Sequence, residues 1–166
     1  EGLLGRYSGF RQAMIYAFDR VNWAENLMHG NAVASLLVAD DRELSGLAPS
    51  IELLSVPVLD ANGEGSAFDL AKGIIAAVDA GANVISMSLG SYTNSALLKA
   101  AVDYAAAAGV VLVGAAGNDG VNQVLYPAAY DNVIAVGAVD ATANAAGFSN
   151  TGSEVSLVAP GVGINS

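Results

Sequence analysis

The chain has 166 residues, of which 54% are hydrophobic and 13% are charged, so it is long enough for one domain with a sizeable core. It has one histidine and no cysteine, which excludes disulfide frameworks, thiolate zinc sites and a cysteine nucleophile. Its formal charge of −10 and the lack of a run of about 18 apolar residues lead us to expect no nucleic-acid partner and no membrane insertion.

The first 30 residues show the least regular pattern. Residues 12–16 are a candidate strand, and the single histidine, His29, precedes a stretch in which Ala32, Val33, Leu36 and Leu37 recur at helical spacing. His29 is therefore expected at or just before a helix N-terminus, where the helix dipole disfavours the charged imidazole. A lone histidine is more often structural than catalytic, and spacing alone leaves both roles open.

From residue 51 onward the chain alternates short runs rich in Val and Ile with longer stretches at helical spacing, which is typical of βαβ units. Strands are predicted at residues 51–59, 84–88, 110–115, 133–138 and 155–159. Two helices are predicted between them, with apolar stripes at Ala67, Leu70, Ala71, Ile74 and Val78, and at Leu97, Ala101, Tyr104, Ala105 and Ala108.

Gly81 and Gly109 stand where these two helices should end, in the left-handed conformation that glycine adopts without strain. The pattern predicts an α/β fold, a three-layer, doubly wound and mostly parallel sheet with helices on both faces. We expect residues 1–166 to form a single domain, with ligands at the carboxyl ends of the strands.

Polar segments follow several predicted strands. Residues 59–65 partly imitate an EF-hand loop, but Ala71 stands where a bidentate glutamate is required, so we reject calcium binding of that type. No glycine-rich phosphate-binding motif occurs, which argues against a nucleotide-binding domain. Residues 86–91 (SMSLGS) and 115–120 (AAGNDG) remain as candidates for a site.

Asn118 has two interpretations at this point. Asn, Asp and Gly are common turn residues, so the segment could be a simple turn. It also follows a central strand, where the fold places its sites, and an asparagine N–H₂ is one of the few side-chain donors that can stabilise a developing oxyanion.

Four segments together resemble one family, the subtilisin-like serine proteases (subtilases). They are HGNAVASLL at 29–37, GLAPSIELLSVPVLDANGEGS at 46–66, VISMSLGS at 84–91, and AAGNDG at 115–120 followed by YPAAYDNVIAVGAVD and FSNTGSEVSLVAPG. The resemblance covers residues 29–166 and implies the subtilisin-like fold, incomplete at both ends. It also implies that the chain is the central portion of a catalytic domain.

The resemblance implies a role for each matching position. His29 is implied to be the general base and acid, and Asn118 the oxyanion-hole donor. These two residues are 89 positions apart here, against about 91 in subtilisin itself. The implied substrate-binding residues are Ser88, Leu89 and Gly90, the facing segment Gly63, Glu64 and Gly65, and the pocket wall Ala115, Ala116 and Gly117. Tyr126-Pro127 resembles a family turn that often has a cis peptide bond.

The sequence departs from the family pattern in two ways. Asn31, Ala32 and Ser35 replace residues that are usually Thr, His and Gly, at positions that pack and orient rather than react. Subtilisin spacing would also put the triad aspartate about three positions before Glu1 and the serine about twenty after Ser166. Asp19 is too close to His29 to be the expected acid, and Ser166 does not lie in the family's nucleophile motif.

The resemblance thus implies a secreted serine endopeptidase that acts on polypeptide substrates, although no targeting segment is recognisable in the sequence. A further segment or chain would supply the aspartate and the serine, and these 166 residues alone would be inactive. No cofactor is required, and structural calcium is allowed at ligands that the sequence does not identify. The alternative is a non-catalytic, protease-like domain that binds peptides or partner proteins.

Overall fold

The computed structural model describes residues 11–16, 33–39, 46–60 and 63–164. In chain order the elements are β1 (Arg11–Tyr16), α1 (33–38), β2 (Glu52–Pro57), α2 (Ala67–Asp79), β3 (Val84–Met87), α3 (Ala96–Ala107), β4 (Val111–Ala115), β5 (Val133–Val139) and β6 (Val155–Pro160). Each predicted strand is confirmed, with ends shifted by one or two residues. Helix α1 confirms the helical spacing found after His29.

The six strands form one parallel sheet in the order β2-β1-β3-β4-β5-β6. Strands β2 and β3 thus lie on opposite sides of β1, so the direction in which strands are added reverses at β1. In sheets of this kind ligands bind at the carboxyl ends of the strands, near the point where the order reverses. The residues that follow β3 and β4 lie at that edge.

Helix α2 covers the sheet next to this edge. Its N-terminus is closed by a capping box, in which the Ser66 hydroxyl accepts a hydrogen bond from the Asp69 N–H (3.1 Å) and the Asp69 carboxylate accepts one from the Ser66 N–H (3.4 Å). The Ser66 hydroxyl also donates to that carboxylate (2.6 Å). The bond from the Ser66 hydroxyl lowers the pKa of Asp69, so the carboxylate keeps its bonds to Ser66 at neutral pH and these weaken when acid protonates it. After the helix, Gly81 has φ +81°, as predicted.

Helix α3 packs against α2 on a stripe that matches the predicted one only in part. Its buried residues are Leu98, Ala101, Val102 and Ala105, whereas Leu97 is 50% exposed and Tyr104 is 47% exposed. The prediction is therefore confirmed for Ala101 and Ala105 and wrong for Leu97, Tyr104 and Ala108, which are exposed. Because Ala and Leu fill most of this helix, its hydrophobic period is weak, and the Tyr104 hydroxyl stays at the surface to donate to Asp79 (3.3 Å).

Ile74 on α2 offers a direct test of the predicted core. Its side chain is fully buried in the main hydrophobic cluster, so Ile74→Ala should lower the free energy of unfolding by about 2–5 kcal/mol, measured by urea denaturation. The matched control is Ile75→Ala, because Ile75 is 41% exposed on the same helix. Equal losses for the two variants would contradict this packing.

None of the described helices is both long enough and apolar enough to cross a membrane.

Candidate functional site

Two cavities open at the carboxyl edge of the sheet. The larger has a volume of about 690 Å³ and lies between residues 63–67 and residues 88–91. The smaller, of about 380 Å³, lies where β3, β4, β5 and β6 end. Ser88 lines both cavities, so they are neighbours along one edge.

A tight turn forms one wall of the larger cavity. The Asp60 N–H donates to the Glu64 carbonyl (2.7 Å), and the Gly63 N–H donates to the Asp60 carbonyl (3.0 Å). The Asp60 carboxylate also accepts from the Glu64 N–H (3.0 Å). These bonds hold the predicted segment Gly63, Glu64 and Gly65 against the cavity, where Glu64 is the one charged residue among the described lining residues.

The opposite wall is formed by Ser88, Leu89 and Gly90. This wall is anchored next to Gly90, where the Ser91 and Tyr126 backbones exchange two hydrogen bonds of 2.9 and 2.8 Å. A Cβ added to Gly90 would lie 2.8 Å from the Leu125 Cβ, so only glycine allows this close approach. The structure thus brings the two predicted segments to face each other. The peptide bond between Tyr126 and Pro127 is cis, as the resemblance suggested.

The smaller cavity is lined by backbone and by small or apolar side chains. Ser88, Ala115, Ala116, Gly117 and Asn118 are among the lining residues, and the described lining includes no charged side chain. Leu89 and Gly90 do not line this cavity, contrary to the expected pocket, and contribute only to the larger one. The wall expected from residues 88–90 is therefore divided between two cavities.

Asn118 lies directly after β4, with its side chain exposed at the smaller cavity. The segment before it is fixed by hydrogen bonds from the Ala116 N–H to the Val136 carbonyl (2.9 Å) and from the Leu125 N–H to the Ala116 carbonyl (3.0 Å). Within the part of the chain that the structure describes, its carboxamide has no hydrogen-bond partner. The N–H₂ group is therefore available to a molecule in the cavity.

Asn150, which the sequence analysis missed, contacts the segment that carries Asn118. Its side chain is 1% exposed and makes four hydrogen bonds to described residues. Local sequence gave no sign of this role, because Asn150 stands in a polar stretch (FSNTG) that has the composition of a surface loop.

Tyr92 and Asp119 close the outer side of the same segment. The Tyr92 hydroxyl donates to the Asp119 carboxylate (2.6 Å), although the two residues are 27 positions apart. This hydrogen bond raises the pKa of Tyr92 above its ordinary value. Residues 117–121 are thus held from the buried side by Asn150 and from the solvent side by Tyr92.

Several predicted residues lie outside the described ranges, namely His29, Asp19 and Ser166, so their predicted roles stay predictions. Metal binding was also left open by the sequence. Within residues 11–16, 33–39, 46–60 and 63–164, no three His, Asp or Glu side chains come together as a metal site would need.

The chain is similar to known proteins of one family. A model of the subtilase family matches residues 11–166. The thermostable alkaline protease of Halalkalibacterium halodurans is 45% identical over 147 residues, which cover 87% of this chain and 41% of that protein. Subtilisin DY of Bacillus licheniformis is 45% identical over 144 residues, which cover 83% of this chain and 53% of that protein.

The fold also matches solved structures. A mutant of the protease domain of PatA superposes with a TM-score of 0.85 at 29% identity, covering 97% of this chain and 70% of that chain. The psychrophilic subtilisin-like protease Apa1 from Pseudoalteromonas superposes with a TM-score of 0.79 over 93% of this chain and 42% of that chain. The chain thus spans about half, or less, of the length of the two curated relatives.

Proposed function

Since the chain belongs to the subtilase family, we propose that it forms the central part of the catalytic domain of a serine endopeptidase. Residues 1–166 form one domain in this proposal, and the natural protein is secreted. It needs no cofactor for the reaction, and any structural calcium would use ligands other than a carboxylate cluster among the described residues.

The observation that carries the proposal is the position of Asn118. Asn118 lines the smaller cavity at the carboxyl edge of the sheet, together with Ser88, which follows β3. Among the described residues, its carboxamide has no hydrogen-bond partner and the cavity lining has no charged side chain. In peptide hydrolysis the carbonyl oxygen becomes an oxyanion, and a fixed N–H donor stabilises that charge more than it stabilises the ground state. Asn118 is proposed as that donor.

His29 and two residues outside these 166 complete the proposed reaction. His29 takes the proton of the nucleophilic serine and later returns it to the leaving amine. An aspartate orients the imidazole and stabilises its charged form. We propose that the serine and the aspartate belong to other parts of the natural protein or to a further chain.

The substrate class follows from the larger cavity. Its two walls, residues 63–65 and 88–90, face each other and are each held by backbone hydrogen bonds behind them. An extended polypeptide could bind between such segments by adding a strand, with backbone bonds providing affinity and side-chain cavities providing selectivity. Polypeptides in extended conformation are therefore the proposed substrates.

Cleavage specificity tests this proposal. The described lining of the smaller cavity includes no charged group that would pair with a basic side chain, so in a peptide library the natural protein should cleave best after large apolar or aromatic residues. The matched control is a pair of peptides that differ only in Phe or Arg before the scissile bond. Dominant cleavage after Arg or Lys would overturn the assignment of this cavity, and no cleavage of any peptide would favour the non-catalytic alternative.

A further inference from the structure

We propose that Asn150 is a positioning residue that sets the conformation of residues 117–121 and thereby aims the Asn118 carboxamide. This inference rests on the proposed function, because the conformation matters for catalysis only if Asn118 is the oxyanion donor. Asn150 lies 32 positions after Asn118 and does not contact the cavity itself.

Asn150 bonds to the residues on both sides of Asn118. Its backbone N–H donates to the Gly117 carbonyl (3.0 Å), and its side-chain Oδ1 accepts from the Asp119 N–H (2.8 Å). The Val121 N–H also points to Oδ1, at 3.4 Å. One buried residue therefore bonds to the backbone on either side of Asn118, which lines the smaller cavity.

The nitrogen of the Asn150 carboxamide is used as well. Nδ2 donates to the Gln123 carbonyl (3.0 Å) and to the Tyr92 hydroxyl (3.2 Å), which in turn donates to Asp119. Only a carboxamide supplies both an acceptor and two donors in this geometry, because a carboxylate has no N–H and a serine hydroxyl is too short. The side chain is thus matched to its surroundings.

Gly117 shows how closely the two segments approach. Its φ is +120°, and a Cβ there would collide with the Asn150 carboxamide nitrogen and lie 2.9 Å from its Cγ. The contact therefore requires glycine at 117. Two further backbone hydrogen bonds extend this contact along residues 148–151. They run from the Gly120 N–H to the Phe148 carbonyl (2.7 Å) and from the Thr151 N–H to the Val121 carbonyl (2.9 Å).

The segment that carries Asn150 is itself anchored to the sheet. The buried Ser149 hydroxyl accepts from the N–H of Ala138 (2.9 Å), near the end of β5. The Ser149 N–H donates to the Ala146 carbonyl (2.8 Å). The segment that carries Asn118 is thus connected through Asn150 and Ser149 to strand β5, in addition to its own strand β4.

Loss of the hydrogen bonds made by the Asn150 side chain should reduce turnover. Electrostatic stabilisation of an oxyanion depends on a donor fixed in advance, and a displacement of about 1 Å can cost about 10²-fold in rate. We expect Asn150→Ser in the natural full-length protein to lower kcat by about 10- to 100-fold and to change KM much less. The matched control, Asn132→Ser, changes an exposed asparagine that bonds to Asp103 instead, and should leave kcat unchanged.

A double-mutant cycle distinguishes positioning from a merely structural role. If Asn150 acts through Asn118, adding Asn150→Ser to Asn118→Ala should produce little further loss of kcat. Independent, multiplicative losses would overturn the inference. Should Asn150→Ser fail to fold, Tyr92→Phe replaces it in the same cycle, because Tyr92 is 43% exposed and its hydroxyl bonds to both Asn150 and Asp119.

Amide hydrogen exchange separates failure of this inference from failure of the proposed function. Asn150→Ser should speed exchange at the Asp119 and Val121 amides, because both lose their acceptor, whether or not the protein is a protease. Unchanged exchange at both amides would overturn the positioning role. Faster exchange together with an Asn118→Ala variant of normal kcat would instead overturn the proposed function of Asn118, and with it the catalytic part of this inference.

Discussion

Asn118→Ala should lower kcat of the natural full-length protein by about 10²–10³ and leave KM nearly unchanged. The magnitude is the one known for the corresponding donor of subtilisin, a member of this family, and the direction follows from the position of the carboxamide at the smaller cavity. A donor aimed at the developing oxyanion stabilises the transition state more than the bound substrate, so its removal acts on turnover.

The control for this experiment is Asn122→Ala. Asn122 is also an exposed asparagine, four positions further along, but it does not line either cavity, so kcat should stay unchanged. Steady-state kinetics of both variants with one apolar peptide substrate provide the comparison. A loss that appears only as a higher KM would show that Asn118 is a turn residue that contributes to binding alone.

Most of the fold could be predicted from local patterns. The runs of Val and Ile that became β3, β4 and β5 are recognisable as continuous apolar runs, although the structure buries only alternate residues of each strand and leaves the others half-buried or exposed. Helix α2 was also predicted correctly, because Lys72 and Asp79 interrupt its apolar residues and make the helical period clear. The stripe of α3 was predicted only in part, since a helix of mostly Ala and Leu has too little contrast between its faces.

The candidate site was only partly predictable. Residues 86–91 and 115–120 were candidates because they follow predicted strands, and parallel strands bring such segments to one edge. The substrate-binding roles of residues 63–65, 88–90 and 115–117 came only from the resemblance to subtilases. The division of residues 88–90 between two cavities depends on tertiary packing against Leu125 and Tyr126, which local sequence does not specify.

The hydrogen bonds by which Asn150 holds the segment around Asn118 could not be predicted from the sequence. Asn150 bonds to Tyr92 and Asp119, which are 58 and 31 positions away, and no periodicity connects residues at such separations. The composition of residues 148–152 indicates a solvated loop, whereas the structure buries Ser149 and Asn150. A buried polar residue of this kind becomes visible only when its hydrogen-bond partners are brought together.

Reaction with a fluorophosphonate should give an all-or-none result. The reagent forms a covalent bond only with a serine that a neighbouring base activates. The proposal puts that serine outside residues 1–166 and makes His29 the base. The natural full-length protein should therefore be labelled once, on a serine beyond these residues, while His29→Ala should abolish labelling.

Identification of the labelled residue by mass spectrometry tests the central claim most directly. The account predicts one adduct per molecule on a serine outside residues 1–166, lost in His29→Ala and kept in the Asn132→Ser control. An adduct on any serine within residues 1–166 would contradict it, because the nucleophile would then lie inside the part of the chain to which we assign only the base and the oxyanion donor. Labelling that persists in His29→Ala would contradict it equally.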